Sequence, residues 1–456
     1  MIVASHRGPV TFARRGEDGT FEARRGAGGV VSALGPLLAG REDTCWIAAA
    51  ITDDDRAAVA ANAARAEDFE LELLSLDTSL HGMHYDVVSN STLWFLMHGL
   101  FNLPYRPQFD DRFREAWEAY VEVNRSFANA IAETARPEDV VLVQDIQLFL
   151  VPAMLRELRP DLHITHFTHT PFCGPGSIRV LPEYVATAVC TSLDQGAAGF
   201  HTERWARAFR ASSQEVLGQP AGRDAFVASF GPDKDVLAHE VASAPVRAEI
   251  DALSERVGER SLIVRSDRME LSKNIVRGFR AYELLLEQHP RFRERVVFAA
   301  MLNPSRESLP EYQAYRNEVE HTAARINDKF ARGNWQPIVL DTRDHYARSI
   351  AAMAVSDVLL VNPIKDGLNL VAMEGPLANR RDGVVCLSRE AGAFDVLGDA
   401  CVAVQPFDLT QTAEALRTGL DMAADERASR ARVLRQRAGA EPPGRWLETQ
   451  ITRARP

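Results

Sequence analysis

The stretch Val355-Ser-Asp-Val-Leu-Leu-Val-Asn-Pro-Ile-Lys-Asp-Gly-Leu-Asn-Leu-Val-Ala-Met-Glu374 limits the possible folds more than any other. Val358 to Val361 form a near-continuous apolar run, the pattern of a parallel strand covered on both faces. Asn362 and Pro363 end it, and Asp366-Gly367 turns the chain into a helix expected through Glu374 and Leu377. A glycine at such a turn lets the backbone approach a ligand, and the first amides of the helix point out unpaired. That N-terminus attracts phosphate, and Asp366 beside it is placed to accept hydrogen bonds from sugar hydroxyls. By helical spacing Glu374 shares a face with Gly367 and Leu370. An ordinary strand–turn–helix unit would use the same residues, so the stretch specifies an α/β architecture before it specifies a chemistry.

A chain of 456 residues is too long for one core, and two domains are expected. Composition is that of a globular protein, 46% hydrophobic and 25% charged. The formal charge of −11 argues against a nucleic-acid or anionic-membrane surface, so an anionic small ligand would be met by individual arginines and lysines. The five cysteines, Cys45, Cys173, Cys190, Cys386 and Cys401, have no metal-ligand spacing, and neither a zinc site nor a disulfide framework is expected. No leader-like start and no run of membrane-spanning length is read, which makes the cytoplasm the expected location.

In chain order, Ile2 to Ala4 reads as a first strand, followed by a polar hairpin-like stretch. Arg24-Arg-Gly-Ala-Gly-Gly29 then enters a helix. Gly26, Gly28 and Gly29 do not complete a dinucleotide fingerprint, and a flexible loop and a phosphate loop both remain open. Cys45 to Ala50 and Leu71 to Leu76 read as strands. A helix opening at Tyr85 is expected to run past Trp94 to near Pro104; both aromatics could be core residues. Phe113 to Ala135 is a long amphipathic helix. Asp139 to Asp145 and His163 to His169 read as strands around a helix from Leu148 to Leu158. This rhythm brings Asp145 and His169 together at the carboxyl edge of a parallel sheet, where open α/β folds bind ligands. The boundary between domains is placed near the charged run Pro245 to Arg260, giving domains 1–245 and 246–440. A second alternation follows, with strands at 261–268, 296–301, 337–340, 384–387 and 401–404. Arg268 and Lys273 lie where its first strand feeds a helix, positioned to neutralise a departing pyrophosphate unless both are solvated surface charges. Pro442-Pro443 precedes a last helix, 441–456, that could pack back on the first domain.

These pieces together resemble glycosyltransferase family 20, the trehalose-6-phosphate synthases, over nearly the whole chain. The resemblance rests on Ser5-His-Arg-Gly-Pro9, Gly26-Ala-Gly-Gly29, Tyr85 through Trp94, Gln144-Asp-Ile-Gln-Leu148, Thr168-His-Thr-Pro171, Arg268-Met-Glu-Leu-Ser-Lys273, Ser305-Arg306, Asp366 through Glu374 and Leu387-Ser-Arg-Glu-Ala-Gly-Ala393. It implies a GT-B fold, two Rossmann-like domains with parallel sheets facing across a cleft. It implies a nucleotide-sugar donor, UDP- or GDP-linked, bound by Gly28, Gly29, Arg268, Lys273, Asp366, Gly367, Asn369, Leu370, Val371 and Glu374, with Glu374 on the ribose. Asp366 and His169 would hold hydroxyls of the transferred ring. Arg7, Tyr85, Trp94 and Arg306 would grip the 6-phosphate of the acceptor, Gln147 would line its pocket, and Asp145 would orient its hydroxyl. The catalytic set is then Asp145, His169, Arg268, Lys273 and Asp366. The implied reaction retains the anomeric configuration by same-face attack, with no protein nucleophile, metal or cofactor. The implied partners are small molecules, neither nucleic acid nor membrane, and a homo-oligomer stays open.

Several residues depart from the family pattern. Gln147 replaces a histidine, Ile146 an aromatic and Met373 a lysine, and Ala49 stands about where a second tryptophan often sits. Glutamine at 147 also occurs in the family's pseudo-glycosyltransferase branch, which couples a nucleotide-cyclitol to an aminocyclitol phosphate. Three readings result: glucose transfer to glucose 6-phosphate, pseudo-glycosyl coupling, and a non-catalytic sugar-phosphate-binding regulatory homologue. Retention of Arg268, Lys273, Asp366 and Glu374 together weighs against the third.

Overall fold

Short runs of buried aliphatic residues, each followed by an amphipathic helix, wind two separate parallel sheets. The computed structural model describes residues 1–15, 20–26 and 29–455. The chain divides into one unit of Met1–Phe230 with Pro443–Pro456 and another of Gly231–Pro442.

In chain order the strands of the first unit are β1 (Ile2–Ser5), β2 (Val10–Arg15), β3 (Thr20–Arg25), β4 (Cys45–Ala49), β5 (Glu70–Leu74), β6 (Val140–Gln144), β7 (His163–Thr168), β8 (Ala197–Phe200) and β9 (Phe226–Val227). β2 and β3 form an antiparallel hairpin, and the others form one parallel sheet ordered β5-β4-β1-β6-β7-β8-β9. The helix Asp111–Thr134 is capped by the Asp110 carboxylate, which accepts from the Phe113 amide. It buries Phe113, Trp117, Tyr120, Phe127 and Ile131 along one stripe.

The second unit contains β10 (Ser261–Arg268), β11 (Val296–Asn303), β12 (Ile338–Asp341), β13 (Val358–Val361), β14 (Val384–Ser388) and β15 (Val402–Val404). All are parallel, in the order β12-β11-β10-β13-β14-β15. Each sheet reverses its winding direction once, between β1 and β6 in the first and between β10 and β13 in the second. Ligands of open α/β sheets bind outside the carboxyl ends of the strands at that point. Arg7 and Asp145 follow the first pair of strands; in the second pair Arg268 ends β10 and Asp366 follows β13.

Some expectations need correction. The helix expected to reach Pro104 stops at Gly99, whose φ of +66° turns the backbone left-handed. Its first part, Met83–Leu93, is wound wide: the Ser89 and Thr92 hydroxyls donate five residues back, to the His84 and Val87 carbonyls, and the Trp94 amide donates to Ser89. β8 and β9, Ala197–Phe200 and Phe226–Val227, are additional strands too short to stand out in the sequence. The division between units falls after Phe230 rather than after residue 245, and after Pro442 rather than after 440. The helices Lys234–Ala242 and Ala244–Val257 contribute Leu237, Val241, Val246, Leu253 and Val257 to the core of the second unit, which is why the division precedes them. The helix Pro443–Ala454 belongs to the first unit: the Gln144 amide donates to the Gln450 Oε1 at 3.0 Å, and the Thr165 hydroxyl to the Gln450 carbonyl at 3.0 Å.

Candidate active site

In the first unit, β1 delivers Ser5, His6 and Arg7 to the sheet edge. The Trp46 indole donates to Ser5 Oγ at 2.8 Å, and Ser5 Oγ donates to the Arg7 carbonyl at 2.6 Å, so the strand end is held from within. Arg7 is exposed, with Nη2 3.5 Å from the Tyr85 hydroxyl. Tyr85 stacks on His6 at 4.5 Å, and His6 Nε2 lies 2.9 Å from His81 Nε2. Burial, before any charge, lowers the pKa of His6, His81 and His84, the last to about 4. Trp94 is buried with its ring against Phe95 and His98.

β6 ends on Gln144, and Asp145 follows with φ +69°, a left-handed conformation that few side chains tolerate. The Asp145 amide donates to the Phe167 carbonyl, and its Oδ1 accepts the His169 amide at 3.0 Å, locking together the ends of β6 and β7. The His169 ring is occupied on both sides, by Gln144 Oε1 at 3.0 Å and His201 Nε2 at 3.2 Å. Gln144 uses its own amide nitrogen on Gln450, so it accepts from His169 Nε2–H, and His201 Nε2–H donates to His169 Nδ1. His169 is thus a neutral ring in a fixed tautomer, its pKa lowered by burial against the opposing effect of Asp145. The Gln147 carbonyl is tied to His84 Nε2 and Asn124 Nδ2.

In the second unit, Lys273 Nζ meets Asp366 Oδ2 at 2.6 Å. Burial disfavours the ammonium, but Asp366, Asp267 and Glu270 outweigh it and raise its pKa, so Lys273 stays charged. Asn369 Nδ2 donates to the same Asp366 oxygen at 3.0 Å, while its Oδ1 caps the Ala372 amide of the helix Leu370–Ala378. Leu370 and Val371 form the first turn of that helix, whose N-terminus faces the Asp366-Gly367 turn. Glu374 is half-buried, and burial pushes its carboxyl up to about 7. Arg268, exposed at the end of β10, reaches Glu270 Oε1 at 2.8 Å. Arg306, at φ +45°, places Nη1 2.5 Å from the Tyr312 hydroxyl and 3.5 Å from that same Glu270 oxygen.

Each unit therefore brings together a set of the residues singled out from sequence: Arg7 with Tyr85 and Asp145 with His169 in one, Lys273 with Asp366 and Asn369 in the other. Gly28 lies outside the described residues, and Gly29 begins the helix Gly29–Leu38. Among the described residues no three histidine, cysteine or acidic side chains gather to hold a metal ion, and no helix is long and apolar enough to cross a membrane.

Residues 1–455 match glycosyltransferase family 20. The chain belongs to this family. It is 31% identical to the bifunctional trehalose-6-phosphate synthase/phosphatase of Thermoproteus tenax, covering 98% of this chain and 62% of that protein. It is 32% identical to alpha,alpha-trehalose-phosphate synthase (UDP-forming) 2 of Aspergillus niger, covering 94% and 91%. The crystal structure of an alpha,alpha-trehalose-phosphate synthase (UDP-forming) from Burkholderia xenovorans in complex with glucose-6-phosphate superposes with a TM-score of 0.84 at 25% identity, covering 100% and 99%. The chain spans 62%, 61% and 49% of the length of three curated relatives that it matches.

Sequence reasoning gave no role to Glu270, although an acid two residues beyond Arg268 and three before Lys273 is a visible signal. The family-like stretch Leu387 to Ala393 likewise carries no function that the sequence announces. That stretch holds the Asp366 turn in place: the Asp366 amide donates to Glu390, the Gly392 amide to Asp366, and the Ala393 amide to Leu368.

Proposed function

We propose that this family 20 glycosyltransferase moves glucose from UDP-glucose to glucose 6-phosphate with retention, giving α,α-trehalose 6-phosphate. The observation that carries the reading is the Lys273–Asp366–Asn369 cluster at the head of the Leu370–Ala378 helix, beside Arg268. A cation and a carboxylate so close give a departing diphosphate a counter-charge and a sugar ring a hydroxyl acceptor. Two relatives named as UDP-forming, one of them bound to glucose-6-phosphate, support the choice of donor and acceptor.

In this mechanism the acceptor hydroxyl attacks the face from which the diphosphate leaves, and a phosphate oxygen takes its proton. The protein stabilises the growing diphosphate charge and aligns the two substrates. Arg268, Lys273 and the amides of Leu370 and Val371 would take the diphosphate, with Gly29, Gly367 and Asn369 shaping the turn around it. Glu374 would take the ribose and Asp366 the sugar hydroxyls. Asp145 would orient the acceptor, steadied by the His169 amide; the His169 ring, expected to hold a sugar hydroxyl, has its nitrogens engaged by Gln144 and His201 and is assigned to holding that strand end. Arg7, Tyr85 and Trp94 of the first unit and Arg306 of the second are each assigned to the acceptor phosphate, and Gln147 to the acceptor pocket. All five cysteines are buried, Cys386 as a thiol that donates to the Ala415 carbonyl, which suits a reducing compartment such as the cytoplasm.

The second reading, coupling of a nucleotide-cyclitol to an aminocyclitol phosphate, is favoured by one observation, the glutamine at 147. Incubation with glucose 6-phosphate and UDP-glucose should release UDP and form a disaccharide phosphate, with GDP-glucose, which would release GDP, as the comparison donor. Turnover only on the cyclitol pair would support the second reading, and binding without turnover on any donor would leave a regulatory homologue. In a turnover assay Arg306→Ala should raise the acceptor KM far more than the donor KM, by the equivalent of roughly 1.5–3 kcal/mol. Equal effects would remove the assignment of Arg306 to the acceptor.

A further inference from the structure

Glu270 is a buried carboxylate with no role in the reaction as derived above. The tight turn after β10 puts it there: the Glu270 amide donates to the Arg268 carbonyl, and the Lys273 amide donates to the Glu270 carbonyl. Its side chain is 1% exposed. A carboxylate so placed is costly unless paired, and it is paired in an unusual way. The single oxygen Oε1 accepts from Arg268 Nη1 at 2.8 Å and Ser305 Oγ at 2.8 Å, and faces Arg306 Nη1 at 3.5 Å. Burial would raise this carboxyl, but Arg268, Arg306 and Lys273 outweigh it and hold it down at about 2, so it is ionised at neutral pH.

The parallel pairing of β10 with β11 brings the two arginines to this oxygen. Arg268 is in register with Asn303, and Arg306 lies three residues beyond. We infer that Glu270 is a positioning residue that couples the donor and acceptor sites, by sharing one carboxylate oxygen between Arg268 and Arg306. The inference rests on the reading of Arg268 as a diphosphate ligand and Arg306 as an acceptor-phosphate ligand. In the structure the closer guanidinium, Arg268, has the larger claim on Oε1. A diphosphate that engages Arg268 weakens that claim and lets Arg306 close on the oxygen. Arg306 is then fixed in one pose before its phosphate arrives, with other N–H groups of its planar fork turned to the ligand. Preorganisation of this kind raises affinity, so nucleotide and sugar phosphate should each tighten the other's binding, by the same factor.

The test is a titration of the whole protein with glucose 6-phosphate by calorimetry, with and without saturating UDP. In the unsubstituted protein UDP should tighten glucose 6-phosphate at least about fivefold, the lower end of ordinary coupling. Glu270→Gln should bring that ratio close to one, because an amide presents its own N–H groups to the arginines. Glu270→Asp, one methylene shorter, should recover at most part of it. A merely structural role would weaken one or both affinities and leave the ratio unchanged, and that result overturns the inference. If both ligands bind the unsubstituted protein with a ratio of one, the inference falls without recourse to any variant, while the functional reading stands. If neither ligand binds the unsubstituted protein, the functional reading falls first and the inference with it.

Discussion

Glu374 is the residue whose charge state is most open to test. Its carboxyl is raised to about 7 by burial, whereas an ordinary glutamate titrates near 4.5. Between those values the folded protein holds a proton that the unfolded chain releases, so this residue's contribution to stability declines as pH rises through 7. Ligand binding runs the other way. If the ionised carboxylate accepts the ribose hydroxyls, UDP binding should tighten about tenfold from pH 6 to pH 8. Isothermal titration of the protein and of Glu374→Gln over that range isolates the effect, because the variant should lack the Glu374 part of the slope. Identical slopes would take the ribose away from Glu374. The residue scale also explains why some side chains sit where they do. Asp145, Arg306 and Asn369 are non-glycine residues at φ +69°, +45° and +79°, conformations of the kind retained where surrounding structure over-determines them. Each is pinned by neighbours: Asp145 by Phe167 and His169, Arg306 by Tyr312 and Glu270, Asn369 by Asp366 and Ala372.

At the scale of elements, the Asp366 turn works because a second segment is clamped to it. A β-carbon at Gly392 would stand 2.0 Å from the Gly367 carbonyl oxygen and 3.1 Å from Leu368 Cα, and backbone cannot yield as a side-chain tip does. Gly392→Ala should therefore displace the turn, destabilise the second unit by about 1–3 kcal/mol, and weaken UDP binding. Chemical denaturation and a nucleotide titration check both parts; an alanine variant with unchanged UDP affinity would show that the clamp does not set the turn. Elements of this kind were unevenly legible. β10 was readable residue for residue, and β13 announced itself, because aliphatic runs buried on both faces can hardly be anything else. β8 was not readable, because Ala197-Ala-Gly-Phe200 is too short to stand out and its glycine looks like a turn signal. A β-carbon at Gly199 would lie 2.4 Å from the Phe167 ring and 2.6 Å from that of Phe226, so the glycine is there to admit two aromatic rings from neighbouring strands. The wide turns of Met83–Leu93 were equally hidden, since their hydroxyl bonds five residues back depend on a winding that residue spacing does not announce.

Over the whole molecule, the chain leaves its first unit after Phe230 and returns after Pro442. Within the second unit these two ends are joined, the Gly231 amide donating to the Glu441 carbonyl at 2.7 Å. The returning helix completes the first core. Trp446 is 1% exposed and packs on Phe167, His169 and Phe230. Trp446→Ala should destabilise the first unit by about 3–5 kcal/mol, read as an earlier first transition in urea unfolding. A midpoint unchanged from that of the intact protein would show the helix to be dispensable. The amino-acid sequence by itself determined the alternation of strands and helices, the two-sheet architecture and the residues at the strand ends, because burial patterns and turn chemistry act over a few neighbours. Tertiary structure alone decided that Glu270 is shared by two arginines, that the His169 ring is taken up by Gln144 and His201, and that the last helix belongs to the first unit. Those facts depend on which distant segments lie side by side, and a distance between remote side chains is written in no local pattern.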